Sequence, residues 1–390
     1  MKRRYALVLV TGLLCGCSTM SSWMSGFTGG EDNAEPPTPL TDISDPVPLT
    51  KLWSTSVGIG YDEQFVNLVP AAYGNYLYVA DRRGRVSAVN AGTGERDWEV
   101  RTQAAVSAGP GAGEGLVLIG TSDAEVIALD ATDGTLLWNA RVGSEVLAVP
   151  RIDLGKVIIQ TADGNITALD ASDGRQLWIY DRSVPVLTLR GTSTPAVQDG
   201  AVVAGFANGK LVALSADTGF VAWETSVAIP KGRSELERLV DIDADPVIAG
   251  GAVYVTTFQG RVAVLDIRNG NAGWKRDMSS HTGLGVDFSQ VYVTDEQSHV
   301  WALSRSTGAT EWKLDKLAYR GLTGPEPFDD YVAVGDAEGY LHLLSRYDGS
   351  IAARVRVDKK GIKAKPLTLQ DVLYVYGNSG ILAAYTLADG

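Results

Sequence analysis

The chain has 390 residues, is 45% hydrophobic with 44 Gly, and carries a formal net charge of −12. Its first sixteen residues hold Lys2, Arg3 and Arg4 and no acid, so the remainder stands at −15. That balance disfavours nucleic acid or an anionic membrane surface as a partner of the body of the protein, because binding a polyanion needs a positive patch that displaces counterions. The glycine content suits many short strands joined by tight turns, and the only two cysteines, Cys15 and Cys17, sit too near the N-terminus to pin a core.

The basic start is followed by an apolar run over residues 5–14, too short to cross a bilayer, which ends at Leu14, Cys15, Gly16 and Cys17. An aliphatic residue at the first of these positions and a small one directly before Cys17 resemble the lipobox of bacterial lipoproteins, with Cys15 standing where Ala, Ser or Thr is usual. This predicts a signal peptide over 1–16 and a lipid on Cys17. Residues 17–48 then hold the lipidated cysteine and a flexible tether, rich in Ser, Gly, Pro and acids and without an apolar period. About 30 such residues reach on the order of 30 Å.

From residue 49 onward the sequence repeats itself eight times. Each copy closes on a turn whose last residue is Gly: Gly94, Gly134, Gly174, Gly219, Gly270, Gly308, Gly349 and Gly390. Before each turn runs a short apolar stretch, such as Val126 with Leu129 or Ile166 with Leu169, that predicts a strand buried on both faces. Four residues past the Gly, six copies place a Trp, at Trp98, Trp138, Trp178, Trp223, Trp274 and Trp312. The seventh has Ala353 there, and the eighth ends at Gly390. A matching Lys51, Leu52, Trp53 stands alone before the first copy. Head and tail together make one unit, which predicts an all-β, eight-bladed propeller over 49–390 of four-stranded antiparallel blades, with residues 49–57 supplying the outer strand of the last.

The repeat has a constant frame and variable joints. A Pro stands 24 residues before the turn Gly in seven copies, from Pro70 and Gly94 to Pro366 and Gly390, with Leu284 in that place in the sixth. Length variation therefore falls in the link from one outer strand to the next inner strand. Measured from the Trp position, the links of 17 residues after Trp178 and 23 after Trp223 are consecutive, so two neighbouring blades lengthen their loops on one face. The first holds Leu187, Leu189 and Arg190, the second Asp241, Asp243 and Asp245. Apolar residues beside fixed charges on a long loop point to a protein-binding surface. The three aspartates imitate the start of a calcium loop, but Pro246 stands where that loop needs Gly and Ala252 where it needs a bidentate Glu, so no metal is expected. His281, His299 and His342 are scattered and read as structural, and no nucleophile or phosphate-loop motif appears, so neither catalysis nor a cofactor is expected.

Stretches of the form A-L-D-A-x-x-G-x-x-x-W, as over 128–138 and 168–178, resemble the propellers of quinoprotein alcohol dehydrogenases, which keep open an alternative reading as a PQQ-dependent dehydrogenase-like enzyme. Eight such blades behind a lipobox and tether resemble more completely the BamB family of outer-membrane protein assembly factors, over essentially the whole chain. The L-T-L-R-G at 187–191 and the D-I-D-A-D-P at 241–246 are similar to that family's two partner-facing segments. The resemblance implies a non-enzymatic lipoprotein scaffold at the periplasmic face of the outer membrane. Leu187, Leu189, Arg190, Asp241 and Asp243 would then contact the POTRA domains of BamA, in a complex that inserts β-barrel proteins. Ser18 after Cys17, rather than Asp, agrees with sorting to the outer membrane in that family.

Overall fold

A computed structural model describes residues 35–61, 66–182, 192–229 and 240–387, and every regular element among them is a strand. The compact unit begins at Pro37. Its strands form eight sheets, each built on four strands in sequence order except the last, which takes its outer strand from the start of the unit, and the second, which gains a fifth strand. Blade one is Ala71–Tyr73, Tyr76–Ala80, Arg85–Asn90 and Arg96–Arg101. Blade eight is Leu367–Leu369, Val372–Tyr376 and Ile381–Leu387, with Leu49–Ser56 as its outer strand. Leu49 pairs with Leu387 and Ser56 with Ile381, so the closure expected from Trp53 is the one observed.

The third strand of each blade is largely buried, as its unbroken apolar run requires, and the second strand, such as Leu116–Thr121, is buried at least as fully. In Arg85–Asn90, Lys210–Ser215 and Tyr340–Ser345 the four central residues are all buried and only the ends reach the surface. Such a strand lies within its own sheet and is covered on both faces by neighbouring blades, which a single-sided alternation could not tolerate.

One contact recurs around the ring and explains both signature residues of the repeat. The indole Nε1 of Trp98 donates to the carbonyl of Ala131 in the next blade at 3.1 Å, Trp138 to Ala171 at 2.8 Å and Trp223 to Ile267 at 2.8 Å. The ring then lies flat over the next blade's turn. A Cβ added to Gly174 would sit 2.6 Å from Trp138, and one on Gly349 would sit 2.5 Å from Trp312. Gly174 also holds φ at +74°, so the glycine is required twice, for its backbone and for the space it leaves. Trp53 makes the same contact across the closure, donating to Ala91 at 3.0 Å, and Tyr374 of blade eight donates to that carbonyl at 3.1 Å.

Two features depart from the sequence reading. Asn67–Leu68 adds a short parallel strand to the inner strand Val106–Gly113, making blade two five-stranded. Residues 37–47, read as the end of the tether, instead lie along blades six and seven. Val47 donates its amide to Ala352 at 2.8 Å and Thr38 to Ala318 at 3.0 Å, while Arg320 and Arg354 each donate to a carbonyl of the segment, at Thr38 and Thr41, both at 2.9 Å. Leu40 packs into the core cluster of Trp312, Leu317 and Leu322. A segment whose backbone groups find partners and whose one leucine is partly buried against the core does not behave as a free linker, however polar its composition.

The two arginines that hold it belong to a buried polar group. Arg320 Nε lies 2.9 Å from Asp336 Oδ2, which also meets His342 Nε2 at 2.9 Å, and Arg354 Nε donates to His342 Nδ1 at 3.3 Å. With Nδ1 accepting, the imidazole proton sits on Nε2 facing the carboxylate, and burial holds the His342 pKa below its ordinary value. His342 is thus a satisfied structural histidine.

Candidate partner-binding face

Since strands run antiparallel in sequence order within each blade, the first and third turns of every blade lie on one face of the ring. The second turns and the links between blades lie on the other. The links are fixed to that face by a common device. Val146 donates its amide to Thr121 at 3.1 Å, Ile242 to Phe206 at 3.2 Å and Ile362 to Asp336 at 3.0 Å. Each then drops its aliphatic side chain onto a glycine one blade back, since a Cβ on Gly120, Gly205 or Gly335 would meet Val146, Ile242 or Ile362 at 2.3, 2.2 and 2.5 Å. All three stand four residues before a Pro, a spacing visible in the sequence but not singled out there.

Ile242 is therefore a standard plug of the repeat, and what is particular to the second long link is the pair of aspartates on either side of it. Asp241 is fully buried, and its carbonyl accepts from Phe258 at 2.9 Å. Asp243 is half-buried, and its Oδ2 has no hydrogen-bond partner among the described residues. Burial pushes the Asp243 carboxyl up to about 7, and the adjacent charge of Asp241 adds to the shift. Asp245 turns elsewhere, accepting from the Thr194 amide at 2.6 Å with Arg151 at 3.9 Å. The structure so separates Asp245 from the pair. A buried carboxylate with an unmatched oxygen is a site for a cationic or amide donor.

The base of the first long link is held by charges the sequence reading passed over. Arg182 stacks on Phe206 at 4.8 Å and reaches Glu224 with both terminal nitrogens, at 2.9 and 3.3 Å, while Lys210 meets the same carboxylate at 2.5 Å. Hydrogen bonds from Arg182 and then from Lys210 pull Glu224 down to about 2. The only sequence signal was position, since Arg182 is among the last residues before the loop lengthens. Leu187, Leu189, Arg190 and Cys17 lie outside the described residues, as does Gly390.

These features define a closed eight-bladed propeller that keeps its blades constant and presents its variable links, with the buried Asp241 beside the half-buried Asp243, on one face. A family model described as outer membrane protein assembly factor BamB matches residues 50–314, and the chain belongs to that family. The Pseudomonas aeruginosa protein of that name is 46% identical over 98% of both chains, and the Yersinia pestis one 35% identical over 96% of both. The crystal structure of BamB from Moraxella catarrhalis superposes with a TM-score of 0.79 at 29% identity, covering 87% of this chain and 99% of that one. Quinohemoprotein alcohol dehydrogenase from Comamonas testosteroni superposes at 0.67 with 16% identity over 88% and 77% of the two chains, a likeness of fold alone.

Proposed function

We propose that this chain is a non-enzymatic, lipid-anchored scaffold of the outer-membrane β-barrel assembly machinery, held at the periplasmic face by a lipid on Cys17 and docked on the POTRA domains of BamA through its two long links. Membership in a family named for outer-membrane protein assembly supports the role. The single observation that carries the site is the pair at the base of the second long link, Asp241 fully buried and Asp243 half-buried, with an oxygen of Asp243 left unmatched among the described residues. In this reading Arg190 and its neighbours Leu187 and Leu189 form the other half of the contact, the leucines as apolar anchors and the guanidinium as the donor that carboxylates on this face would orient. The ring supplies rigidity and the links supply recognition.

Replacing Leu189→Glu together with Arg190→Asp is expected to leave the circular dichroism spectrum and the melt intact while abolishing co-purification with BamA. Survival of the complex would remove these residues from the site. The alternative, a quinone-cofactor dehydrogenase, rests on the likeness of fold to such an enzyme. It is read by incubating the protein with PQQ and calcium, where a bound-cofactor absorbance accompanied by dye reduction would favour it over the scaffold.

A further inference from the structure

The same face carries a second feature, three blades further round. In a chain of net charge −12, residues 354–365 hold Arg354, Arg356, Lys359, Lys360, Lys363 and Lys365 against one acid, Asp358. Arg354 is committed to His342 and Thr41, and Lys365 to Glu326 at 3.0 Å. The other four are exposed. Arg356, Lys359 and Lys360 border a cavity of about 570 Å³ at the seam between blades seven and eight, with Val357, Asp358, Ser379 and Ile381 also lining it.

The acid within the link is turned inward. Asp358 is buried and accepts from the amides of Lys360 at 2.9 Å and Ser379 at 2.7 Å, so it fixes the shape of the link. The basic surface continues into blade one through a chain of backbone contacts: Asn378 donates to Gly361 at 2.9 Å, Tyr61 to Asn378 at 3.2 Å and Arg82 to Gly60 at 3.4 Å. That brings the turn carrying Arg82 and Arg83 onto the same crescent, where Asp81 is likewise buried and accepts from the Arg83 amide at 2.9 Å. Lys363 lies 5.8 Å from the ring of Tyr61 between them. Arg82, Arg83, Arg356, Lys359, Lys360 and Lys363 outnumber Asp81 and Asp358 even with Asp62 and Glu63, which fall outside the described residues, added to the acids.

We propose that this groove is a docking site for an extended acidic segment of a partner protein, one in which carboxylates alternate with apolar side chains. Charge complementarity selects an anion. Concavity selects a chain segment over a bilayer surface, which would meet only the rim. The apolar walls at Val357 and Ile381 select alternation, since an extended segment points successive side chains to opposite sides and can offer one set to the walls and the other to the lysines and Arg356. The site is separate from the contact proposed above and does not depend on it.

The test is fluorescence anisotropy of a labelled peptide of alternating Glu and Val, beside one of alternating Lys and Val, titrated with the lipidated protein in detergent micelles. The Glu–Val peptide is expected to bind and to release as added salt shortens the Debye length, while the Lys–Val peptide stays free. Lys359→Glu with Lys360→Glu should weaken binding by roughly tenfold, the corresponding change to Gln by less, and Arg268→Glu on the opposite face by nothing. Both lysines are exposed, and an unchanged melt confirms the fold of each variant. Equal affinity for the two peptides, or indifference to the double reversal, overturns the proposal. So does binding to phosphatidylglycerol vesicles in place of the peptide, which would give the crescent to a membrane surface.

Discussion

The contact of Trp138 with Gly174 and the segment around Asp243 are both largely removed from water, yet they are finished differently. At the first, the indole N–H has a carbonyl at 2.8 Å and the ring fills the space a side chain at Gly174 would need. At the second, a carboxyl group is carried below the surface beside another carboxyl and one of its oxygens meets no donor among the described residues. A polar group buried without a partner lowers stability. Gln160 and Thr256 in the blades also carry such an atom, but both are neutral, whereas Asp243 is ionisable and lies beside a second carboxyl. Blade contacts serve the fold, and the second long link carries an unspent charge.

The contrast can be broken from its stable side first. Deleting residues 49–57 removes the outer strand of blade eight together with Trp53 and its bond across the closure, and it should cause the largest loss, a much lower melting temperature or no cooperative transition at all. A melt like that of the intact chain would mean that the ring does not depend on its closure. Trp138→Ala should cost about 3–5 kcal/mol, as large-to-small changes at buried aromatics do, read as a shift in the urea midpoint at unchanged slope. Gly174→Ala comes next. The left-handed conformation alone accounts for about 1–2 kcal/mol, and the clash with the indole adds to it. Because the two changes share one contact, they should not be additive: in the Trp138→Ala background Gly174→Ala keeps only the backbone part of its cost. Additive losses would separate the glycine from the tryptophan.

The ring itself was legible because its physics repeats. Eight turns ending in Gly, the Trp four residues on and the lone Trp53 sufficed for blade number and closure, since each signal was sampled many times. The features that escaped are those that occur once or whose signal is compositional. Residues 37–47 read as tether because they are polar and Pro-rich, but their retention depends on Arg320 and Arg354 offering donors to their carbonyls, a matter of tertiary position alone. Asn67–Leu68 is too short for any period to reveal. In the second long link the sequence drew attention to three aspartates in alternation, and the structure divides them. Asp241 and Asp243 flank the plug Ile242, while Asp245 serves the Thr194 amide. What identified the pair was the repeat's plug position, which becomes readable only once Val146, Ile242 and Ile362 are seen to occupy equivalent glycines.

Asp243→Asn tests the other side of the contrast and should have the smallest effect on the fold, with the opposite sign. The folded carboxyl titrates near 7, against 3.8 for the same group in the unfolded chain. Between those values the folded protein holds a proton that the unfolded chain has released, so the folded state binds more protons and stability falls as pH rises from about 4 to 7. The penalty is complete above that window and absent below it. Removing the charge with Asn should therefore stabilise the protein at neutral pH by about 1–3 kcal/mol, a figure reduced from the full shift because the side chain is only half-buried, and should do nothing at acid pH. If the pair is kept for a partner, the same variant that melts higher should hold BamA less well, a gain in stability bought at the expense of binding. Parallel melts at low and neutral pH beside a pull-down give both readings at once. A variant that is more stable and binds as before would make the unmatched oxygen a defect of packing, while one that is no more stable at neutral pH would show that Asp243 finds its donor within the ring.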